Sequence, residues 1–275
     1  MLSSTKIVAG FFLWMLLSVA FAQRSPSAPD AIWLMGEIHD NRQGMEARVA
    51  DLRSALKQGW RPVLVLEQFN RARQEALTRA QKECRTAECV IELAADSGWD
   101  WEAYVPLLNL ALEYKLPLYA GNLSREESWK IIRQGYASVI DAGTLKQFGL
   151  DRKIPDDIET SQYEAIRLGH CDLLPANMIE PMSRAQIARD VWLAKLISDH
   201  ASTGVVLVAG NGHIRRDVGV PRWLSESLQS RTVVWGYVEP DGADIVRYDR
   251  LRVLTPIVRE DPCLKLREQF ASKKG

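Results

Sequence analysis

Ala31-Ile32-Trp33-Leu34-Met35-Gly36-Glu37-Ile38-His39-Asp40-Asn41 decides how this chain is read. Five apolar residues run into a glycine, and a carboxylate and a histidine follow at once. A short, unbroken apolar run reads as a strand buried on both faces, the mark of a parallel sheet covered by helices. Gly204-Val205-Val206-Leu207-Val208-Ala209-Gly210-Asn211-Gly212-His213 repeats the pattern far along the chain. The chain has four histidines, and two of them stand in this strand-then-Gly-x-x-His setting. In an open α/β sheet, ligands and chemistry collect at the carboxyl ends of the strands. The spacing therefore predicts one shared site built from both ends of the sequence.

The flanking sequence supplies the rest of the sheet. Asn41 caps a helix over 43–58, with Met45, Val49, Leu52 and Leu56 on one face and Gly59 closing it. Pro62–Leu66 is a second strand, and Asn70 is placed to cap a helix over 72–82. Helices follow over 87–95 and 101–114, then a third strand over 117–120. Residues 124–157 are weakly periodic and read as short helices and loops. Helices are expected over 161–169, 175–200 and 222–229, and strands over 204–209, 232–238 and 245–248. The fold class is α/β: a mainly parallel central sheet covered by helices, with a helical block of about 70–200 inserted between the third and fourth strands. Residues 23–275 are read as a single domain.

The first 22 residues read as a signal peptide. Lys6 precedes the apolar run Ile7–Leu17, and Ala20-Phe21-Ala22 is a small-x-small cleavage pattern. The mature chain is then periplasmic or secreted. Cys84, Cys89, Cys171 and Cys263 fit that compartment as disulfides. Cys84 with Cys89 would staple two helical pieces, and Cys171 with Cys263 would close a longer loop, but spacing alone leaves the pairing open. Thirty-five basic residues balance 35 acidic ones, which argues against nucleic acid as a partner. Nine tryptophans suit either core packing or a flat aromatic ligand.

Four strand ends carry polar groups: Glu37 and His39, Glu67 and Gln68, Asn122 with Arg125 nearby, and Asn211 with His213. Glu37, His39, Glu67 and His213 are the candidate catalytic residues, as general base and acid near neutral pH. His39, His213 and Glu37 could alternatively ligate a divalent metal. His170 follows a helix and precedes a turn, and His200 reads as a C-terminal cap.

Taken together, Gly36-Glu37-x-His39-Asp40-Asn41, Leu66-Glu67-Gln68-Phe69, Trp101-x-x-Tyr104-x-Pro106, Leu116-Pro117 with Ala120-Gly121-Asn122, Gly169-His170-Cys171, Gln186-x-x-Arg189-Asp190 and Gly210-Asn211-Gly212-His213 resemble the ChaN-like haem-binding family. That family is related to the erythromycin esterase, TIKI and TraB group. The resemblance spans about residues 30–240. It implies an α/β fold, haem as cofactor, a homodimer, and service to an outer-membrane haem uptake system. It also implies haem ligation by a tyrosine, here Tyr104, with Tyr119, Tyr136 and Tyr163 as alternatives. Asn122, His170 and Arg189, which lie in the matching motifs, join Tyr104 as the haem-binding set. Many family members are lipoproteins, and this chain departs from them in having no lipobox cysteine. The wider group includes hydrolases whose Glu and Gly-x-x-His residues form a catalytic or metal site. A metal-dependent ester or amide hydrolase is therefore the alternative function.

Overall fold

The computed structural model describes residues 31–242, 247–261, 263, 264 and 266–268. The signal-peptide reading lies outside the described residues. Six strands form one sheet: β1 (Ile32–Glu37), β2 (Val63–Asn70), β3 (Leu118–Asn122), β4 (Val205–Gly210), β5 (Thr232–Val238) and β6 (Arg250–Val253). Their order is β3-β2-β4-β1-β5-β6, and every pairing is parallel. Two-sided burial is the reason: β1 and β4 are buried at all six positions, as their unbroken apolar sequence requires.

Side-chain alternation along the strands divides the core. Trp33, Met35, Leu64, Leu66, Val206 and Val208 face α1 (Arg42–Lys57) and the helices α2 (Gln74–Glu83), α3 (Ala87–Ala94) and α4 (Trp101–Glu113). Ile32, Leu34, Val63, Val65, Val205 and Leu207 face Leu193, Ala194 and Ile197 of α8 (Ala176–His200). Between β3 and α8 lie α5 (Arg125–Gln134), α6 (Ala142–Phe148) and α7 (Asp156–Gly169). Two one-turn helices follow β4: α9 (Asn211–Ile214) and α10 (Glu226–Gln229).

The helical block of 70–200 is divided by β3. Its first part, α2–α4, belongs to the β2–β3 connection, and only α5–α8 lie between the third and fourth strands. Asn41 caps α1 as expected, accepting from the Gly44 amide at 3.2 Å. Asn70 does not cap the next helix. Its side chain donates to Asp96 at 2.6 Å, and a 3-10 turn over Arg71–Arg73 intervenes before α2. The sixth strand lies at Arg250–Val253 and not at 245–248, of which 245 and 246 lie outside the described residues. Both disulfides form, Cys84–Cys89 and Cys171–Cys263. Among the described residues no helix is long and apolar enough to cross a membrane.

This strand order positions the site. The chain leaves β1 for β2, skipping one position, and β4 later fills the gap between them. From β4 the chain then crosses β1 to lay down β5 on its other side. The carboxyl ends of β2, β4 and β1 thus meet at the point where the winding reverses, where open α/β sheets hold ligands.

Candidate functional site

Glu37 ends β1 and is buried. Its Oε1 accepts from the Tyr104 hydroxyl at 2.7 Å and from Gln68 Nε2 at 2.9 Å, and lies 2.7 Å from His39 Nδ1. Its Oε2 accepts from Arg48 at 2.7 Å, and the same guanidinium donates to the Gly36 carbonyl at 3.1 Å. Burial pushes the Glu37 carboxyl up, but Arg48, His39 and Tyr104 outweigh it and hold the group below its ordinary range.

His39 is the open member of the group, with its side chain 48% exposed. Burial pulls its pKa down. The Glu37 bond and the charges of Glu37 and Glu67 outweigh this and raise it. The ring meets Trp99 edge-on, with centroids 5.0 Å apart. A Cβ on Gly210 would lie 3.0 Å from His39 Nε2 and 3.6 Å from Glu67 Oε2. Glycine at 210 therefore lets the histidine loop of β1 close over the end of β4, with Glu67 of β2 beside it.

Glu67 is buried and accepts from the Gly210 amide at 2.7 Å. His213 is buried between two carboxylates, with Nδ1 2.6 Å from Asp190 and Nε2 3.3 Å from Glu67. Burial depresses the imidazolium, but Glu67 and Asp190 more than compensate and push His213 up to about 10. Burial likewise opposes ionisation of Glu67, yet His213, His39 and the Gly210 amide bring it down to about 2. Asp190 moves the other way: burial raises it, and the nearby Glu67 charge adds to the rise. Two carboxylates share one imidazolium, Asp190 on Nδ1 and Glu67 on Nε2, so their charges compete for it. Gln186 lies against the His213 ring, 3.2 Å from each nitrogen.

The structure thus brings Glu37, His39, Glu67 and His213 to one crevice. His213 sits there as a held cation, and His39 is the exposed base candidate, oriented by Glu37. No serine, threonine or cysteine hydrogen-bonds to either histidine among the described residues.

The contacts give the metal reading of His39, His213 and Glu37 no support. Among the described residues no group of three or more metal-ligating side chains stands ready for an ion. The physical reason is occupancy of the donors: both Glu37 oxygens accept protein bonds, and both His213 nitrogens face carboxylates. Tyr104 is engaged inside the cluster. It is buried, its proton is given to Glu37, and burial with the Glu37 charge drives its pKa far up, so a phenolate is opposed.

Among the described residues the remaining candidates make no hydrogen bond to Glu37, His39, Glu67 or His213. Asn122 pairs in register with Asn70, and Arg189 donates to Ser128 at 3.1 Å. His170 holds the Ile166 carbonyl through Nδ1 at 2.7 Å, at the α7–α8 corner. His200 ends α8 and stacks on Tyr119, with centroids 4.0 Å apart. A groove of about 510 Å³ opens beside Tyr119 at the β3 edge of the sheet, lined also by Arg71, Glu127, Trp192 and Leu196. Arg71 stacks on Trp192 at 4.8 Å and donates to Glu127 at 2.6 Å. The Tyr119 hydroxyl, half-buried, has no protein hydrogen-bond partner among the described residues.

Sequence reading missed two roles, and both left a signal. Arg48 falls within the apolar stripe Met45, Leu52 and Leu56 of α1, and Asp190 falls between the core residues Ile187 and Val191 of α8. A charge on the buried face of an amphipathic helix needs a partner, and here each has one in the crevice.

An all-parallel sheet with a polar, internally paired cluster at its reversal point defines an α/β protein with its candidate site at the strand ends. Comparison narrows this: the chain belongs to the family described as haem-binding uptake, Tiki superfamily, ChaN, whose profile matches residues 27–224. Among solved structures it is similar to that of cofacial haem binding to ChaN of Campylobacter jejuni. The match has a TM-score of 0.64 at 21% identity and covers 81% of this chain and 86% of that one. A mutant erythromycin esterase in its open conformation matches with a TM-score of 0.43 at 12% identity, over 76% of this chain and 70% of that one. No curated protein matches the sequence.

Proposed function

We propose that this chain is an exported haem-binding protein serving iron or haem uptake. Membership of the haem-binding family over residues 27–224 carries the reading. The groove beside Tyr119 is the surface that fits the ligand. A flat apolar macrocycle has Trp192 and Leu196 to lie against, and Arg71 is the cation a propionate would meet. The phenol of Tyr119 is a hard oxygen ligand suited to ferric iron, and among the described residues no protein group competes for it. Tyr136 and Tyr163 fit less well: burial raises both phenols, Tyr163 to about 12. Two disulfides support passage through an oxidising compartment, periplasmic or extracellular. A homodimer and an outer-membrane uptake system complete the proposal as partners.

Hemin titration of the purified chain, followed by the Soret band, tests it. A saturable, shifted band is expected. It should be lost in Tyr119→Phe and kept in Tyr104→Phe. No shift in the unaltered chain would end the haem reading; full binding by Tyr119→Phe would end the placement alone.

One observation favours a second reading, an ester or amide hydrolase. His39 combines a half-open ring with a buried carboxylate on Nδ1, which is the arrangement of a general base acting on water. His39→Ala should remove any hydrolysis found in a substrate screen, and retained turnover would dismiss it.

A further inference from the structure

The segment after β6 crosses back over the crevice loop before it reaches Cys263. Leu254 is buried against the first turn of α1, where a Cβ on Gly44 would lie 2.8 Å from it. The Thr255 amide donates to Gln43 at 2.7 Å, and its carbonyl accepts from Asn41 at 3.1 Å. Arg259 spans both oxygens of Asp40, at 2.6 and 2.8 Å, and both of Glu239, at 2.7 and 2.8 Å. Asn41 also donates to Glu239 at 2.8 Å. Asp40 and Asn41 are the two residues that follow His39, so these contacts clamp the histidine loop from its far side.

The other end of the segment is covalent. Cys263 is bonded to Cys171, with Cα atoms 5.7 Å apart, at the corner between α7 and α8. Gln162 of α7 bonds Asp190 of α8, which sets the two helices side by side at the level of His213. From Gln162 to Gly169 helix α7 rises about 10 Å further, so the corner overhangs the strand ends. It turns through Cys171 and Asp172 at φ of 58° and 57°, left-handed for two non-glycine residues. Three residues separate Arg259 from Cys263, four Cα–Cα steps with a reach of at most about 14 Å. The segment therefore bridges the His39 loop and the overhanging corner.

What holds this bridge decides what it can do. Ile257, Val258 and Leu264 point outward and are exposed, and Leu254 is the only buried large apolar side chain the segment offers among the described residues. The anchors at Asp40 and Thr255 lie at the surface, where ion pairs and hydrogen bonds hold weakly. The Arg259–Glu239 pair is more enclosed, with the Glu239 side chain 16% exposed, and the disulfide is the one covalent tie.

We propose that the Cys171–Cys263 disulfide is a redox latch: closed, it ties a C-terminal strap that fixes the His39 loop beneath the α7–α8 corner; reduced, it frees both. The inference needs neither haem nor hydrolysis. A dithiol reductant would attack one sulfur of the pair to form a mixed disulfide. Its second thiolate then displaces that sulfur, leaving Cys171 and Cys263 as thiols and the reductant as a disulfide.

The mature chain carrying Cys84→Ser and Cys89→Ser isolates this one bond. Amide hydrogen exchange is measured over 38–43 and 254–261, with the rate of diethylpyrocarbonate modification at His39 relative to His200. Reduction by a dithiol should speed exchange in both segments and His39 modification several-fold, and reoxidation should restore them. Cys171→Ser should behave as the reduced chain without reductant. If that variant does not fold, reduction of the otherwise natural chain decides alone. Unchanged exchange over 38–43 with both thiols free would overturn the proposal. So would a rise confined to 254–261, since the strap would then be a tail that does not act on the loop.

Discussion

Replacing Arg48 by methionine removes the cation that neutralises Glu37 while keeping most of the volume in α1. Both side chains are buried, at 3% and 0% exposure, and the pair is closed at 2.7 Å with a further bond to the Gly36 carbonyl. A surface pair of this geometry would contribute at most about 1 kcal/mol. A buried carboxylate stripped of its partner instead costs about 3–5 kcal/mol, less what it recovers by taking up a proton. Tyr104, Gln68 and His39 still bond Glu37, which keeps the loss inside that range. For a domain of this size the loss corresponds to a fall in Tm of about 6–20 °C. Urea unfolding followed by tryptophan emission measures it. The double variant with Glu37→Gln should recover at least about 1.5 kcal/mol relative to the sum of the singles, because no charge is then left stranded. A loss under about 1 kcal/mol in Arg48→Met, or strict additivity with Glu37→Gln, would refute the claim that this pair holds the crevice in place.

Stability should depend on pH through His213. Its folded pKa of about 10 lies above the ordinary 6.5, so its contribution is fully present below about 6.5 and is lost as pH rises through 10. Glu67, brought down from 4.5 to about 2, contributes above 4.5 and loses its share as pH falls toward 2. These are two views of one ion pair, counted once at about 3–5 kcal/mol. The urea midpoint should fall between pH 7 and 10, and His213→Asn should flatten that slope; a flat profile in the unaltered chain contradicts the pairing. Gly210→Ala places a methyl 3.0 Å from His39 Nε2 without backbone strain. By NMR titration the His39 pKa should drop toward the ordinary histidine value, and an unshifted titration means the ring is not packed on Gly210. Tyr119→Phe and Tyr104→Phe should separate in hemin binding as stated above, and the latch should separate oxidised from reduced chain in hydrogen exchange.

Much of this molecule could be read from one dimension. Unbroken apolar runs at 32–35, 63–66 and 205–209 can only be two-sided strands, and helical spacing between them makes the connections parallel. Gly-x-x-His after two such strands pointed to a common site, and parallel strands do deliver both histidines to one edge. The motifs pointed to the ChaN-like family, to which the chain belongs.

Other features are properties of neighbours in space, which spacing along the chain does not encode. Both Glu37 and Glu67 look alike in sequence, yet one is neutralised by Arg48 and the other by His213. Burial strengthens each pair and commits both Glu37 oxygens and both His213 nitrogens to protein partners. Tyr104 stood in sequence only as a motif tyrosine; packing against Trp99 and Trp101 accompanies its hydroxyl bond to Glu37. The sequence by itself determined that sheet, helices and a polar strand-end site exist, because hydrophobic period and glycine placement are local. Only tertiary structure decided which groups are charged, which are spent on one another, and that a tail fastened at Cys171 presses on the His39 loop, because those outcomes depend on distances between residues far apart in the chain.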